Sequence, residues 1–410
     1  MTSDLLTVKL EKLTYGGDAL GRLSDGRAVF VPFALPGETV RIHSVNEKRG
    51  HVRAALVEVL DPSPERIAPK CKHFGVCGGC HYQHLPYQAQ LSAKTEILRD
   101  QLRRIGKIEN PLVKQIVPSS TEWNYRNHVQ FHLTPDGKLG YIDAQCRSVI
   151  PISECHLPEL PLNILWPSLE FDPGLGLVRV SLRLGVDDET MLVLESKSPE
   201  TPELELEADL SVVHLTDNDV VVMAGDDHLT MIVNDRLFHV SAASFFQVNT
   251  EMAGKMAAHL LAHLRVSPAT TLLDVYCGVG LFSAFFAPRL GRLIGIESSP
   301  SACEDFAVNL DEFDNVELYE APAEDVLPAL DVKPDIAIVD PPRAGLEKRS
   351  LDALLARGPA RIAYVSCDPS TLARDAARLI AGCYRLVQVT PFDLFPQTYH
   401  IESISIFEKG

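Results

Sequence analysis

Residues 271–282 read TLLDVYCGVGLF. The apolar run TLLDVY is long enough for a buried strand and too short for a helix. CGVG then turns the chain, and LFSAFFAPRL (281–290) continues with helical spacing. A strand, a glycine turn and a helix in succession form the opening unit of a doubly wound α/β sheet. Working outward, LIGIES, DIAIVDPP and RIAYVSCDP read as strands. SACEDFAVNLDEF, SLDALLARG and STLARDAARLIAG read as the helices between them, and MAGKMAAHLLAHL as a helix ahead of them. YRLVQVTPFDLFPQ and HIESISIFEK look like two closing strands.

Upstream the texture differs. LTVKLEKL, GRAVFVPF, ETVRIHSV and VRAALVEVL, separated by YGGDALG, SDG, LPGE and NEKRG, predict a small all-β barrel over 7–60. DPSPERIAP (61–69) reads as a Pro-rich linker, followed by CKHFGVCGGC (71–80) and a helix over 87–105. From 112 to 240 strand-like runs alternate with turns, predicting a mixed, mostly antiparallel β region. Three units are expected, then: 1–60, 61–240 and 241–410, the last a Rossmann-like sheet.

The chain has 410 residues, 46% apolar and 23% charged, as in ordinary soluble proteins. No apolar run approaches the ~20 residues of a membrane helix, and the start lacks the basic-then-apolar pattern of a secretion signal, so a cytoplasmic location is expected. Nine cysteines in such a chain favour metal or catalytic thiols over disulfides. A net charge of −17 argues against a purely electrostatic nucleic-acid binder. The charge is uneven, however: 18 Lys and Arg stand against 13 Asp and Glu in residues 1–130, and 20 against 42 in the remainder. A basic front on an acidic body admits an anionic partner, as well as chance.

The Gly278-x-Gly280 turn lacks a third glycine, and Glu297 ends the next strand about twenty residues on, where an acid can hold ribose hydroxyls. Dinucleotide dehydrogenases and S-adenosylmethionine methyltransferases share this logic, as does a bare structural turn. The missing G-x-G-x-x-G disfavours the first. Asp274, just before the turn, favours the second, since it can orient the turn and face a sulfonium. Asp340-Pro341-Pro342 follows the fourth strand, a position where many nucleic-acid methyltransferases hold the target base. Arg343 replaces the aromatic residue that would stack an adenine.

Cys367 ends the fifth strand. Beside a methyl donor, a thiol there fits covalent catalysis on a pyrimidine: attack on C6 loads electron density onto C5, which takes the methyl group, and a base then removes the C5 proton. Glu402, in YHIES, is the candidate base, and His400 the weaker one.

Cys71-x5-Cys77-x2-Cys80 supplies three sulfurs on a glycine-rich loop, and Cys146 or Cys155 could be a fourth ligand. Zinc and a [4Fe–4S] cluster are both compatible, the three-plus-one pattern suiting the cluster better. His73, His81 and His84 nearby are expected to be solvated or RNA-facing, and Cys277, Cys303 and Cys383 to be core thiols.

As a set, SFFQVN (244–249), LLDVYCGVG (272–280), GIE (295–297), DPPRAG (340–345), VSCDPSTLARD (365–375) and DLFPQTYHIE (393–402) resemble the RNA uracil-5-methyltransferases of bacterial ribosomal and transfer RNA. The resemblance spans the catalytic half. It implies Cys367 as nucleophile, Glu402 as base, and Gln247, Tyr276, Gly278, Glu297 and Asp340 against S-adenosylmethionine. Phe245 and Gln247 would lie near the target base, and Tyr125 and Arg126 in an RNA-facing segment. Leu281 departs from the asparagine many members carry. Cytosine-5 methylases keep a second cysteine in the D-P-P slot, which is absent here, so uracil is implied over cytosine. Further, C-x5-C-x2-C with a distant C-x-L-P matches cluster-bearing members, implying a [4Fe–4S] cluster on Cys71, Cys77, Cys80 and Cys155. Residues 7–60 resemble the TRAM domain, an OB-like RNA-binding module. Because barrel and cluster occur together, the resemblance implies 23S rRNA over tRNA. An inert, cluster-bearing RNA-binding protein remains the alternative from another class.

Overall fold

The computed structural model describes residues 5–203, 205 and 209–410, so the first four residues of the stretch read as lacking a signal lie outside it. Among the described residues no helix is long and apolar enough to cross a membrane.

The chain opens with β1 (Leu6–Leu13), β2 (Ala19–Arg22), β3 (Ala28–Val31), β4 (Thr39–Glu47) and β5 (His51–Asp61), closed into a barrel in the order β1-β2-β3-β5-β4. Val8, Leu10, Val29, Val31, Val40 and Ile42 alternate inward and fill it, as strand periodicity requires. β2 lies in the stretch read as a turn: only four residues long and half glycine and arginine, ALGR carries too little apolar signal.

A loop bearing Cys71, Cys77 and Cys80 leads into α1 (Tyr87–Arg104). Then come β6 (His128–Leu133), β7 (Leu139–Ile142), β8 (Val149–Pro151), α2 (Leu160–Leu165), β9 (Leu177–Leu184), β10 (Thr190–Ser196), β11 (Ser211–Leu215) and β12 (Val220–Ala224). These strands form one seven-stranded sheet, antiparallel except for β10 and β11. The hairpin of β13 (His228–Val233) and β14 (Arg236–Ser241) is separate. Its Leu229, Met231, Val233, Phe238 and Val240 share a core with the helices that follow, so it packs with the C-terminal half.

That half contains α3 (Thr250–His263), β15 (Thr271–Val275), α4 (Leu281–Phe286), β16 (Arg292–Glu297), α5 (Pro300–Asn309), β17 (Val316–Glu320), α6 (Ala323–Ala329), β18 (Ile336–Val339), α7 (Lys348–Arg357), β19 (Arg361–Ser366), α8 (Pro369–Ala381), β20 (Tyr384–Phe392) and β21 (Glu402–Lys409). The sheet order is β17-β16-β15-β18-β19-β21-β20. β15 to β19 pair in parallel, and the inner four, β15, β16, β18 and β19, are buried throughout their centre because helices cover both faces. β21 runs antiparallel between β19 and β20. β17, on the outer edge, carries acidic, half-exposed residues and lacks the apolar run that flags a buried strand, and α6 carries Glu324 and Asp325 in its first turn and contains Pro328, so it lacks a clear helical run.

Candidate active site

The carboxyl ends of β15, β16, β18 and β19 open into a cavity of about 1190 Å³. Switch-point clefts of doubly wound sheets are where such folds bind ligands. Eight residues of the C-terminal half singled out as functional line it, namely Phe245, Gln247, Tyr276, Gly278, Glu297, Asp340, Cys367 and Glu402, whereas Asp274 is not on its surface. Arg343, Phe395 and His400 line it as well.

Its first wall is the turn after β15. Tyr276, Gly278 and Gly280 all take positive φ, of 65°, 53° and 86°. At Gly280 a Cβ would lie 2.4 Å from Leu310 and 2.9 Å from Phe306, so packing as well as φ demands glycine. Glu297 braces the turn from the next strand: one carboxylate oxygen accepts the Gly278 N–H at 3.0 Å, and the other accepts the N–H groups of Ser298 and Ser299. Beneath it, Asp274 is buried. One of its oxygens accepts the Ser283 hydroxyl at 2.7 Å, and Oδ1 has no partner. Burial, with some repulsion from Glu297, pushes this carboxyl up to about 6. Burial and the neighbouring Asp274 push Asp340 up to about 7. A buried carboxyl oxygen without a partner, below a cradle of left-handed residues, fits a cationic group bound above it. Leu281 is buried at the cavity floor and presents no polar atom.

The opposite wall is built by β19 and β21. Their register pairs Ser366 with Ser403. Continued by one residue, it sets Cys367 opposite Glu402 across the two strands. After Cys367 the strand stops because Asp368 caps α8: its Oδ1 accepts the N–H groups of Ser370 and Thr371, and Pro369 takes the first helical position. The barrel reaches this cap too, where the Tyr15 hydroxyl donates to the other oxygen of Asp368 at 3.0 Å. Burial, then Glu402 and Asp340, raise the Cys367 thiol to about 12, and Arg343 opposes them. Glu402 is pushed well above the usual carboxylate range by burial and Asp340, with Arg343 and Lys94 acting in the opposite direction. A carboxyl raised in this way binds a proton firmly once its ionised form has taken one. His400, which accepts from Arg343, is lowered to about 3 by burial and neighbouring cations, so it holds protons poorly and the weaker candidate is demoted.

Outside the cavity, several expectations change. Tyr125 is buried and donates its hydroxyl to the Pro396 carbonyl, so it does not face RNA. Arg126 lies behind the cavity, its guanidinium 5.5 Å from the Phe395 ring centre, with Nε unpartnered. His84 is fully buried against Phe74 rather than solvated. Cys277 and Cys303 are buried as expected, but Cys383 is exposed, at φ 69° in the turn after α8.

Among the described residues no group of three or more His, Cys, Asp or Glu side chains is arranged to hold a single metal ion. Burial raises the Cys71, Cys77 and Cys80 thiols, and Cys155 adds to the rise in each. Arg126 acts in the other direction on both Cys80 and Cys155. Cys146 is exposed. Four cysteines that lose their protons reluctantly, and whose thiolates would repel one another, are a donor set that a soft, cationic group would relieve.

A sheet of this order, with a glycine turn, a buried acid and a thiol–carboxylate pair at one edge, defines a methyltransferase of the doubly wound class. A family profile described as tRNA (uracil-5-)-methyltransferase matches residues 206–409, and one for the TRAM domain matches 3–57. An RNA methyltransferase of Aquifex aeolicus is 35% identical, with 98% of each chain covered, and one of Halalkalibacterium halodurans is 32% identical over 99% of this chain and 97% of its own. The tRNA (uracil-54, C5)-methyltransferase of Pyrococcus abyssi, solved with S-adenosyl-L-homocysteine, superposes with a TM-score of 0.74 at 26% identity, covering 98% of this chain and 100% of that one. The chain belongs to the RNA uracil-5-methyltransferase family.

Proposed function

We propose that this protein transfers a methyl group from S-adenosylmethionine to C5 of a specific uridine in RNA through a covalent adduct at Cys367. The observation that carries this reading is the pairing of Cys367 with Glu402 in the cavity that also holds the glycine turn. S-adenosylmethionine, when bound, supplies an electrophilic methyl group. Gln247, Tyr276, Gly278, Glu297 and Asp340 would hold it, with Asp274 below. Cys367 Sγ gives up its proton to solvent and bonds to C6 of the uracil, and the C5–C6 π electrons move toward the C4 oxygen. After C5 is methylated, Glu402 takes the C5 proton, and the C6–S bond breaks as the C5–C6 double bond returns. Phe245, 72% exposed at the cavity rim, offers a face on which a flipped base can stack. Arg126 supports the target-base side from behind Phe395. The units 1–60, 61–240 and 241–410 would act as RNA-binding barrel, central domain and catalytic domain in the cytoplasm.

The target is proposed as 23S rRNA, from the joint presence of barrel and cysteine cluster. The likeness to the Pyrococcus abyssi enzyme favours tRNA instead. Incubation with labelled methyl donor and total RNA from a strain lacking this protein should yield 5-methyluridine, and fractionation separates the two targets. 5-Methylcytosine would replace this reading with the cytosine one, and RNA binding without any methylation would favour the inert binder.

Asp340 gives a pH prediction. A cationic donor prefers its ionised form, and the free carboxyl titrates at about 7. Donor affinity should therefore rise with pH, by about tenfold between pH 6 and 8, as one proton is released on binding. Asp340→Asn should flatten that profile in calorimetric titrations.

Cys71, Cys77, Cys80 and Cys155 are proposed to hold a [4Fe–4S] cluster. A cluster spreads its four thiolates wider than one ion does, which is compatible with there being no compact single-ion site among the described residues. Protein purified without oxygen should be brown and carry about four iron and four sulfide per chain. Colourless, zinc-containing protein would refute the cluster.

A further inference from the structure

Lys94 lies in the middle of α1, where a lysine would ordinarily face water, yet its side chain is fully buried. Its ammonium donates to Asp393 Oδ1 at 2.5 Å and to the Phe395 carbonyl at 2.9 Å. Asp393 is equally buried, and the two acceptors begin the loop that carries Phe395 and His400 to Glu402. One turn earlier on α1, Gln90 exchanges hydrogen bonds with Gln397 in the same loop. The charges acting on the Glu402 carboxyl are those of Asp340 and Arg343 after β18 and of Lys94 from α1, and Glu402 in turn acts on Cys367 after β19. A buried, paired cation behind a reacting carboxyl is costly to keep unless it has work there.

We propose that Lys94 is a positioning residue for the methylation: it seats the 393–401 loop and supplies the buried positive charge that keeps Glu402 able to take the C5 proton. This rests on the reading of Glu402 as the base. The base works deprotonated, so the rate rises with pH through its pKa, and a nearby cation holds that pKa down. Removing the cation moves the limb to higher pH.

The test is the single-turnover release of free methylated RNA from the covalent adduct, followed against pH, using the full chain and the RNA fraction the wild type methylates. Lys94→Met should slow this release at pH 7 by tenfold or more, with recovery at higher pH, while RNA affinity stays within about twofold. Lys94→Arg keeps the charge and should leave the limb in place. Because an unpaired Asp393 can unfold the single variant, Lys94→Met with Asp393→Asn serves as control. It should regain the wild-type melting temperature but not the rate. Wild-type rate and an unmoved limb in either folded Met variant would overturn the proposal and make the pair purely structural. Wild-type protein that methylates no uridine would overturn the underlying reading, and this proposal with it, so the two failures are distinguishable.

Discussion

Cys367→Ala is expected to abolish methylation, lowering the single-turnover rate by on the order of 10⁴-fold or more, with RNA and donor binding retained. The carbon to be methylated is a poor nucleophile until a thiolate adds beside it, and no other thiol takes this place: of the remaining cysteines, only Cys277 lines the cavity, buried behind the glycine turn. RNA containing 5-fluorouridine provides a second readout. Fluorine at C5 cannot leave as a proton does, so the wild type should form a stable cross-link visible on denaturing gels, and Cys367→Ala should form none. Normal turnover by the alanine variant would sink the covalent mechanism. The thiol rests near 12 in the free protein, so it is not a standing nucleophile. Reaction should therefore show no bell with an acid limb near the ordinary thiol value. Arg343 is the group present to favour the thiolate as the adduct forms.

Glu402→Gln should behave differently although it is nearly as damaging. The amide cannot take the C5 proton, so turnover should fall by roughly 10²–10⁴-fold. Attack by Cys367 and methylation of C5 do not need that base. The expected result is a covalent protein–RNA complex that accumulates with ordinary uridine RNA, carrying the labelled methyl group. Slow turnover with no accumulated complex would mean that Glu402 acts before the adduct forms.

Much of this was legible in the linear chain. Parallel strands buried on both faces appear as unbroken apolar runs, and LLDV, IAIV and IAYV announce themselves in that way. Short or polar edge strands do not: ALGR and VELYE had to be recovered from pairing. Cys367, Asp340 and the glycine turn sit at strand ends, so their convergence follows from topology. Lys94, Arg343 and His84 were not legible in the roles they occupy. Lys94 falls in an amphipathic helix, and only its tertiary partners show that it points inward. His84 follows the cysteine loop, and only the fold shows that it is fully buried, against Phe74 of that same loop. Cys383 fails in the opposite sense, since an apolar neighbourhood in sequence ends in an exposed turn.

β21 enters the sheet between two strands that both precede it. Glu402 therefore comes later in the chain than Cys367, and a chain with β21 unpaired would present the thiol without the group that releases its adduct. Such a species would be a hazard, able to bind itself permanently to the RNA it is meant to modify. The same missing strand leaves β19 and β20 with open edges and uncovers the apolar face beneath them. The strand that completes the sheet is thus also the strand that brings the group able to free the RNA.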